Sequence, residues 1–225
     1  MTAMSRMTRR RVLVGAVAVV LALAGLGAYL VWPAPTLDAA DIDAALPTER
    51  DLPGFVAHDG LTGALSVPTS NDKGRSVLTG AALEEQCRKW REEGDGWACE
   101  HVHGVGMVVL ELSENVFFRV LSNVLAYDDE TAAEAGWNGL VTDIRDRVEE
   151  EGIPNVEESN PGLGDASVSF KLPAAGATSM AIRVGTVVVA ATVWDGSDQV
   201  SEQDERDMVR KWPALQLAKI DQLVG

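Results

Sequence analysis

The chain has 225 residues, and its 19 Lys and Arg are outnumbered by 34 Asp and Glu, a formal charge of −15 at neutral pH. All 34 acids but only 15 of the 19 basic residues lie beyond residue 32, so that part carries −19. This balance argues against a nucleic-acid partner or adsorption to an anionic bilayer, both of which need clustered Lys and Arg. The length beyond residue 32 suits one domain.

Arg6, Arg9, Arg10 and Arg11 precede Val12 to Trp32, 21 residues without a charge. As a helix this stretch is about 32 Å long, enough to cross a hydrocarbon core of about 30 Å. Tyr29 and Trp32 near its end suit a membrane interface, the arginines hold the N-terminus in the cytoplasm, and Pro33 and Pro35 stop the helix. The expected organisation is a basic cytoplasmic tail over residues 1–11, a transmembrane anchor over 12–32, a linker over 33–36 and an extracytoplasmic domain over 37–225. A second reading stands beside it. Thr8-Arg9-Arg10-Arg11-Val12-Leu13 is similar to a twin-arginine export signal and Ala22-Leu23-Ala24 offers a cleavage site, after which the domain would be secreted. The apolar run continues past Ala24 for longer than a signal core usually does, which favours the anchor. Both readings place the rest outside the cytoplasm, and the absence of cysteine over residues 20–35 excludes a lipoprotein anchor.

In the domain, residues 36–46 read as a short helix capped by Thr36, ending before Pro47. Residues 56–78, rich in Gly, Ser, Asn and Thr, give at most short strands or a loop. Thr79 caps a second helix to about Glu93, with Leu83, Cys87 and Trp90 on one face. Val105–Leu112 and Val116–Tyr127 read as a hairpin. In its second strand Phe118, Val120 and Val124 share one face; Arg119 and Asn123 fall on the other, which Leu121 and Leu125 make partly apolar. Asp128 or Asp129 caps the clearest helix, to about Glu151, with an apolar stripe of Ala133, Trp137, Leu140, Val141, Ile144 and Val148. A strand over 166–172 follows, then strands over 180–184 and 187–194 joined by Gly185-Thr186, the signature of a two-residue hairpin. Residues 202–223 read as a final helix interrupted by Pro213. The order predicts an α+β fold, an antiparallel sheet of about five strands with the helices packed on one face.

Cys87 and Cys99, both on the exported side, are expected to form a disulfide, free thiols or a metal pair being the other readings. Their spacing does not resemble a redox or zinc motif.

Three pieces carry a family resemblance: Ala44-Ala45-Leu46 with Asp51-Leu52-Pro53-Gly54, then Pro161 to Ala166, then Arg183 to Val189. In that order they resemble the extracytoplasmic sensor-type domains and envelope lipoproteins of actinobacteria, among them the extracellular domain of the PknH-type receptor kinases. The resemblance implies an α+β module with a cleft for an unknown ligand, and no catalytic residues to carry over. This chain differs in having one cysteine pair where those kinase domains carry two disulfides, and 11 residues rather than a kinase ahead of its apolar stretch.

The chemistry that the residues offer is sparse. Alternation in a strand would place His101 and His103 on one face, a geometry that could hold a metal with a third ligand; solvated histidines at a strand entrance are the plainer reading. His58 lies in a loop without a nominated partner, and G-x-S-x-G and H-E-x-x-H are absent. Gly104-x-Gly106 and Gly162-x-Gly164 lack the third glycine of a phosphate cradle and read as packing and turn glycines. The expected function is a membrane-tethered, non-catalytic binding or interaction module of the cell envelope, without cofactor, metal or nucleic acid, its ligand or protein partner unknown. The alternatives are an envelope hydrolase using His101, His103 or His58, and a purely structural envelope partner.

Overall fold

Strands β1 (Phe55–Ala57), β2 (Arg75–Thr79), β3 (Val102–Leu112), β4 (Asn115–Tyr127), β5 (Glu157–Ser159), β6 (Ala166–Leu172), β7 (Ala177–Val184) and β8 (Val187–Asp195) form one antiparallel sheet. Helices α1 (Ala39–Ala45), α2 (Gly80–Glu93), α3 (Glu130–Glu150) and α4 (Glu202–Val224) cover it. These come from a computed structural model, which describes residues 36–58, 74–94, 96–195 and 202–224. The apolar stretch Val12 to Trp32 lies outside the described residues. Among those described, no helix is long and apolar enough to cross a membrane.

The α+β, antiparallel expectation holds, with two corrections. The described sheet has eight strands rather than about five, in the order β1-β3-β4-β8-β7-β6-β5, with β2 also paired to β3. Helices cover both faces rather than one. On the first face Val108, Leu110, Val120, Val124, Ile182 and Val189 pack with Leu37, Ile42 and Leu46 around α1 and with Trp212, Leu217 and Ile220 of α4. On the second, Val105, Met107, Leu121, Leu125, Val168 and Phe170 pack with Leu83, Cys87 and Trp90 of α2 and Ala133, Leu140 and Val141 of α3. Strand β4 explains why: its alternate residues Phe118, Val120 and Val124 serve one core and Leu121 and Leu125 the other, so neither side can face water.

The strands missing from the sequence reading are short and lie at the margins. β5 is exposed at all three positions and carries no apolar alternation, so only its ladder with β6 identifies it. β1 and β2 share one edge of β3: the His58 amide donates to the Val109 carbonyl (3.0 Å), and the Val109 amide donates to the Gly74 carbonyl (2.9 Å). The chain therefore leaves and rejoins the sheet at a single rung.

Local chemistry accounts for the element ends. Asp38, not Thr36, caps α1: its carboxylate accepts from the amides of Ala40 (2.7 Å) and Asp41 (2.9 Å), and the Asp38 amide in turn donates to the Asp41 carboxylate. Asp129 caps α3 through the Ala132 amide at 2.8 Å. Gly104 and Gly106 are packing glycines, since a Cβ at Gly106 would lie 2.5 Å from Ile42 Cγ2; without side chains there, α1 seats directly on β3. Cys87 and Cys99 form a disulfide, with Cα atoms 5.6 Å apart, that staples α2 to the 3-10 turn Gly96–Cys99.

Candidate binding cavity

The second core is incompletely filled. Each strand contributes alternate residues to the face beneath α3, and register sets them in rows. Ser179 of β7 lies opposite Thr192 of β8, which lies opposite Leu121 of β4. In the next row Ala181, Ala190 and Asn123 are neighbours, and Ala177 pairs with Trp194 on the other side. Most of these side chains are small, so the C-terminal half of α3 spans a gap. The result is a cavity of about 280 Å³ roofed by Leu140, Ile144 and Val148, with Trp97 at one wall. Toward its N-terminal end α3 sits closer, and here glycine is the reason. A Cβ at Gly136 would collide with the Tyr127 ring and one at Gly139 would come within 2.8 Å of Trp97 Cβ.

Polar groups in the cavity are few. Ser179 and Thr192 satisfy each other across the strand pair at 3.1 Å. Asn123 is different: it is 3% exposed, and its Oδ1 is buried without a hydrogen-bond partner. Such an oxygen is costly inside a protein, where nearly all buried acceptors are paired. The indole nitrogen of Trp97 is likewise buried without a partner. Titratable groups stand only at the rim, where Arg147 donates to Asp143 at 3.0 Å and Glu151 is exposed. Beside the cavity the Tyr127 hydroxyl is buried and unpaired, and burial pushes its pKa well above the ordinary phenol value.

A second depression of about 300 Å³ lies beside the disulfide, lined by Leu83, Cys87, Cys99 and His103 with Glu84 and Arg91. It is the more polar of the two, and no buried orphaned atom lines it.

The three histidines are not assembled into one site. His101 does not alternate with His103 in a strand; it occupies a left-handed turn (φ 58°) and is 74% exposed. His103 on β3 has Nε2 2.8 Å from the Leu37 carbonyl, to which it donates, and Nδ1 3.4 Å from Asp128. His58 pairs with Glu111 at 2.7 Å at the other end of β3, where Arg119 also approaches Glu111 at 3.7 Å. Eight strand positions, about 26 Å, separate His103 from Glu111 along β3. Among the described residues no three His, Cys, Asp or Glu side chains are placed to share a metal ion.

The motifs that carried the family resemblance turn out to be joints of the scaffold. Asp165 accepts from the Gly185 amide at 2.7 Å and lies 3.8 Å from Arg183, tying the Pro161–Ala166 turn to the β7–β8 turn. Asp51 pairs with Lys219 of α4 at 2.5 Å, and the same ammonium donates to the Leu46 carbonyl.

No protein-family model matches the chain, and no curated protein matches it. Its structure is similar to the crystal structure of the extracellular domain of PknH from Mycobacterium tuberculosis, with a TM-score of 0.45 and 12% sequence identity. The match covers 84% of this chain and 99% of that one. The sequence places Asn123 on the second face of β4 but assigns no site role to it or to the small residues of β7 and β8. The available signal was an amide on the apolar side of a central strand, between Leu121 and Leu125.

Proposed function

We propose that this protein is a non-catalytic binding module of the cell envelope, tethered outside the cytoplasm by residues 12–32, whose ligand sits between α3 and the sheet. The observation that carries the reading is the cavity of about 280 Å³ between α3 and the sheet, lined mainly by apolar side chains with few polar groups. The disulfide supports an oxidising compartment, and the chargeless stretch behind Arg9, Arg10 and Arg11 supplies the export route. The hydrolase alternative lacks such support, because the histidines stand apart and none lines the cavity.

Native mass spectrometry of the full chain, exported from a Gram-positive host, tests this reading. The expected result is a retained mass that denaturation releases and that Ala190→Leu, which fills the cavity floor, diminishes. A clean unliganded mass that no apolar probe shifts would refute it and leave a role as a structural partner of envelope proteins.

A further inference from the structure

The cavity between α3 and the sheet has a direction. Tyr127, whose amide donates to the Thr186 carbonyl just before β8, lies against Gly136, so the N-terminal half of α3 sits over that end of the sheet. From there Leu140, Asp143, Ile144, Arg147, Val148 and Glu151 line the cavity at the spacing of one helix face, over about three turns or about 16 Å. The opposite wall follows β8 from Ala190 to Trp194, about 13 Å. One end is shut where Gly139 meets Trp97; at the other, Glu151 and Ala175 are exposed. The walls are reachable from solvent. On β8, Val189, Ala191 and Val193 of the first face are 1% exposed, whereas Ala190, Thr192 and Trp194 beneath α3 are only partly buried. Ile144 and Val148 above them are partly buried too. Spread over this length, the cavity volume gives a cross-section of about 20 Å², the width of one hydrocarbon chain, since carbon atoms touch at about 3.5–4.0 Å.

We propose that the cavity is a slot for a single linear alkyl chain, inserted tail first, whose head group is a cation held at the open end beside Glu151. This rests on the cavity being the binding site. The length follows from the slot: each C–C bond of about 1.5 Å advances an extended chain by about 1.25 Å, so about ten to twelve carbons fill it. The orientation follows from the closed end, where Trp97, Leu121, Leu140 and Ala190 carry no charge to meet a head group. The sign of the head follows from the open end. Of the three charged lining residues, Arg147 already donates to Asp143, which leaves the carboxylate of Glu151. Glu151 is also the C-cap of the 21-residue α3, where the helix presents its negative pole, and Glu149 and Glu150 precede it. An anionic head would have to draw Arg147 from Asp143 and would face that pole.

Straight-chain probes separate this inference from the one beneath it. The full chain, labelled with 5-fluorotryptophan and held in phosphatidylcholine nanodiscs, is titrated with 1-alkylammonium ions from pentyl to hexadecyl. The 19F shifts of Trp97 and Trp194, assigned with Trp97→Phe and Trp194→Phe, report occupancy against the free aqueous probe. Affinity should rise about three- to fourfold with each methylene and level off beyond about ten to twelve carbons. At neutral pH octylammonium should bind about three- to tenfold more tightly than octanoate, and Glu151→Gln should narrow that gap. Saturable binding whose affinity does not climb with chain length would overturn the slot and leave the cavity as a binding site. Octanoate binding as tightly as octylammonium would overturn the cationic head. Both comparisons use the natural sequence at Glu151, so neither depends on that variant folding. Shifts that saturate with no probe would overturn the cavity reading and this inference with it.

Discussion

Replacing Asn123 by leucine should stabilise the ligand-free protein, the reverse of what a polar residue at the centre of a sheet usually implies. Asn123 is 3% exposed, so water cannot compensate its Oδ1, which has no protein partner. An orphaned buried acceptor costs about 1–3 kcal/mol, and leucine keeps the same branched heavy-atom skeleton, with bulkier methyl groups and no polar atom. For a domain of this size each kcal/mol moves Tm by about 2–4 °C, so a rise of about 2–12 °C is expected. Scanning calorimetry on the ligand-free chain, with urea melts for the free energy, measures it. The neighbouring position supplies the control. Ser122→Ala removes the donor to Gln216 and leaves Gln216 Oε1 buried without it, so it should destabilise by about 1–2 kcal/mol. Opposite signs at adjacent residues of one strand would be hard to obtain by general loosening of the fold. A fall in Tm for Asn123→Leu comparable to that for Ser122→Ala would show that the amide is satisfied within the protein, and would refute the reasoning.

Three further outcomes are expected. Gly136→Ala gains about 1 kcal/mol of helix propensity but drives a methyl into the fully buried Tyr127 ring, 2.9 Å from Cε1, so urea melts should show a net loss of about 1–3 kcal/mol; a gain would mean that α3 can shift. The double variant Cys87→Ser, Cys99→Ser opens a loop of 12-residue separation and should lose about 3 kcal/mol, while non-reducing mass spectrometry of the natural exported protein shows no alkylatable thiol. Burial pushes the Asp51 carboxyl upward, but bonds from Lys219 and from the Thr48 hydroxyl and amide outweigh it and hold the pKa below the ordinary aspartate value. On acidification the unfolded chain is therefore protonated first. The contribution of Asp51 is complete above about pH 4 and is lost as pH falls through the folded value. Asp51→Asn should flatten that part of the stability curve, which equilibrium melts between about pH 5 and 2 would reveal.

Strong periodic elements were legible because their signals are local. The α3 stripe from Ala133 to Val148, the β4 alternation and the Gly185-Thr186 turn each lie within a few residues of one another, and the structure places α3 at Glu130–Glu150 and pairs Val184 with Val187. The cysteine pair was legible for the same reason, 12 residues apart with Cys87 on the buried face of its helix. Gly104 and Gly106 could be read as packing glycines by elimination. The edge strands were not legible, because β5 has no buried side chain and β1 and β2 are defined by their register on β3.

By itself, then, the sequence determined the α+β class, the central hairpins, the disulfide and the expectation of an exported domain, since each follows from periodicity, turn chemistry or composition along a short stretch. Only the tertiary structure decided that helices cover both faces, because the partners of β4 on the first face, Trp212, Leu217 and Ile220, come from the far end of the chain. It alone decided the cavity, which is a space left where small residues of β7 and β8 pass beneath α3. The loneliness of the Asn123 oxygen is of the same kind. An amide between two leucines is visible in the sequence, but whether a partner reaches it depends on every element packed around it.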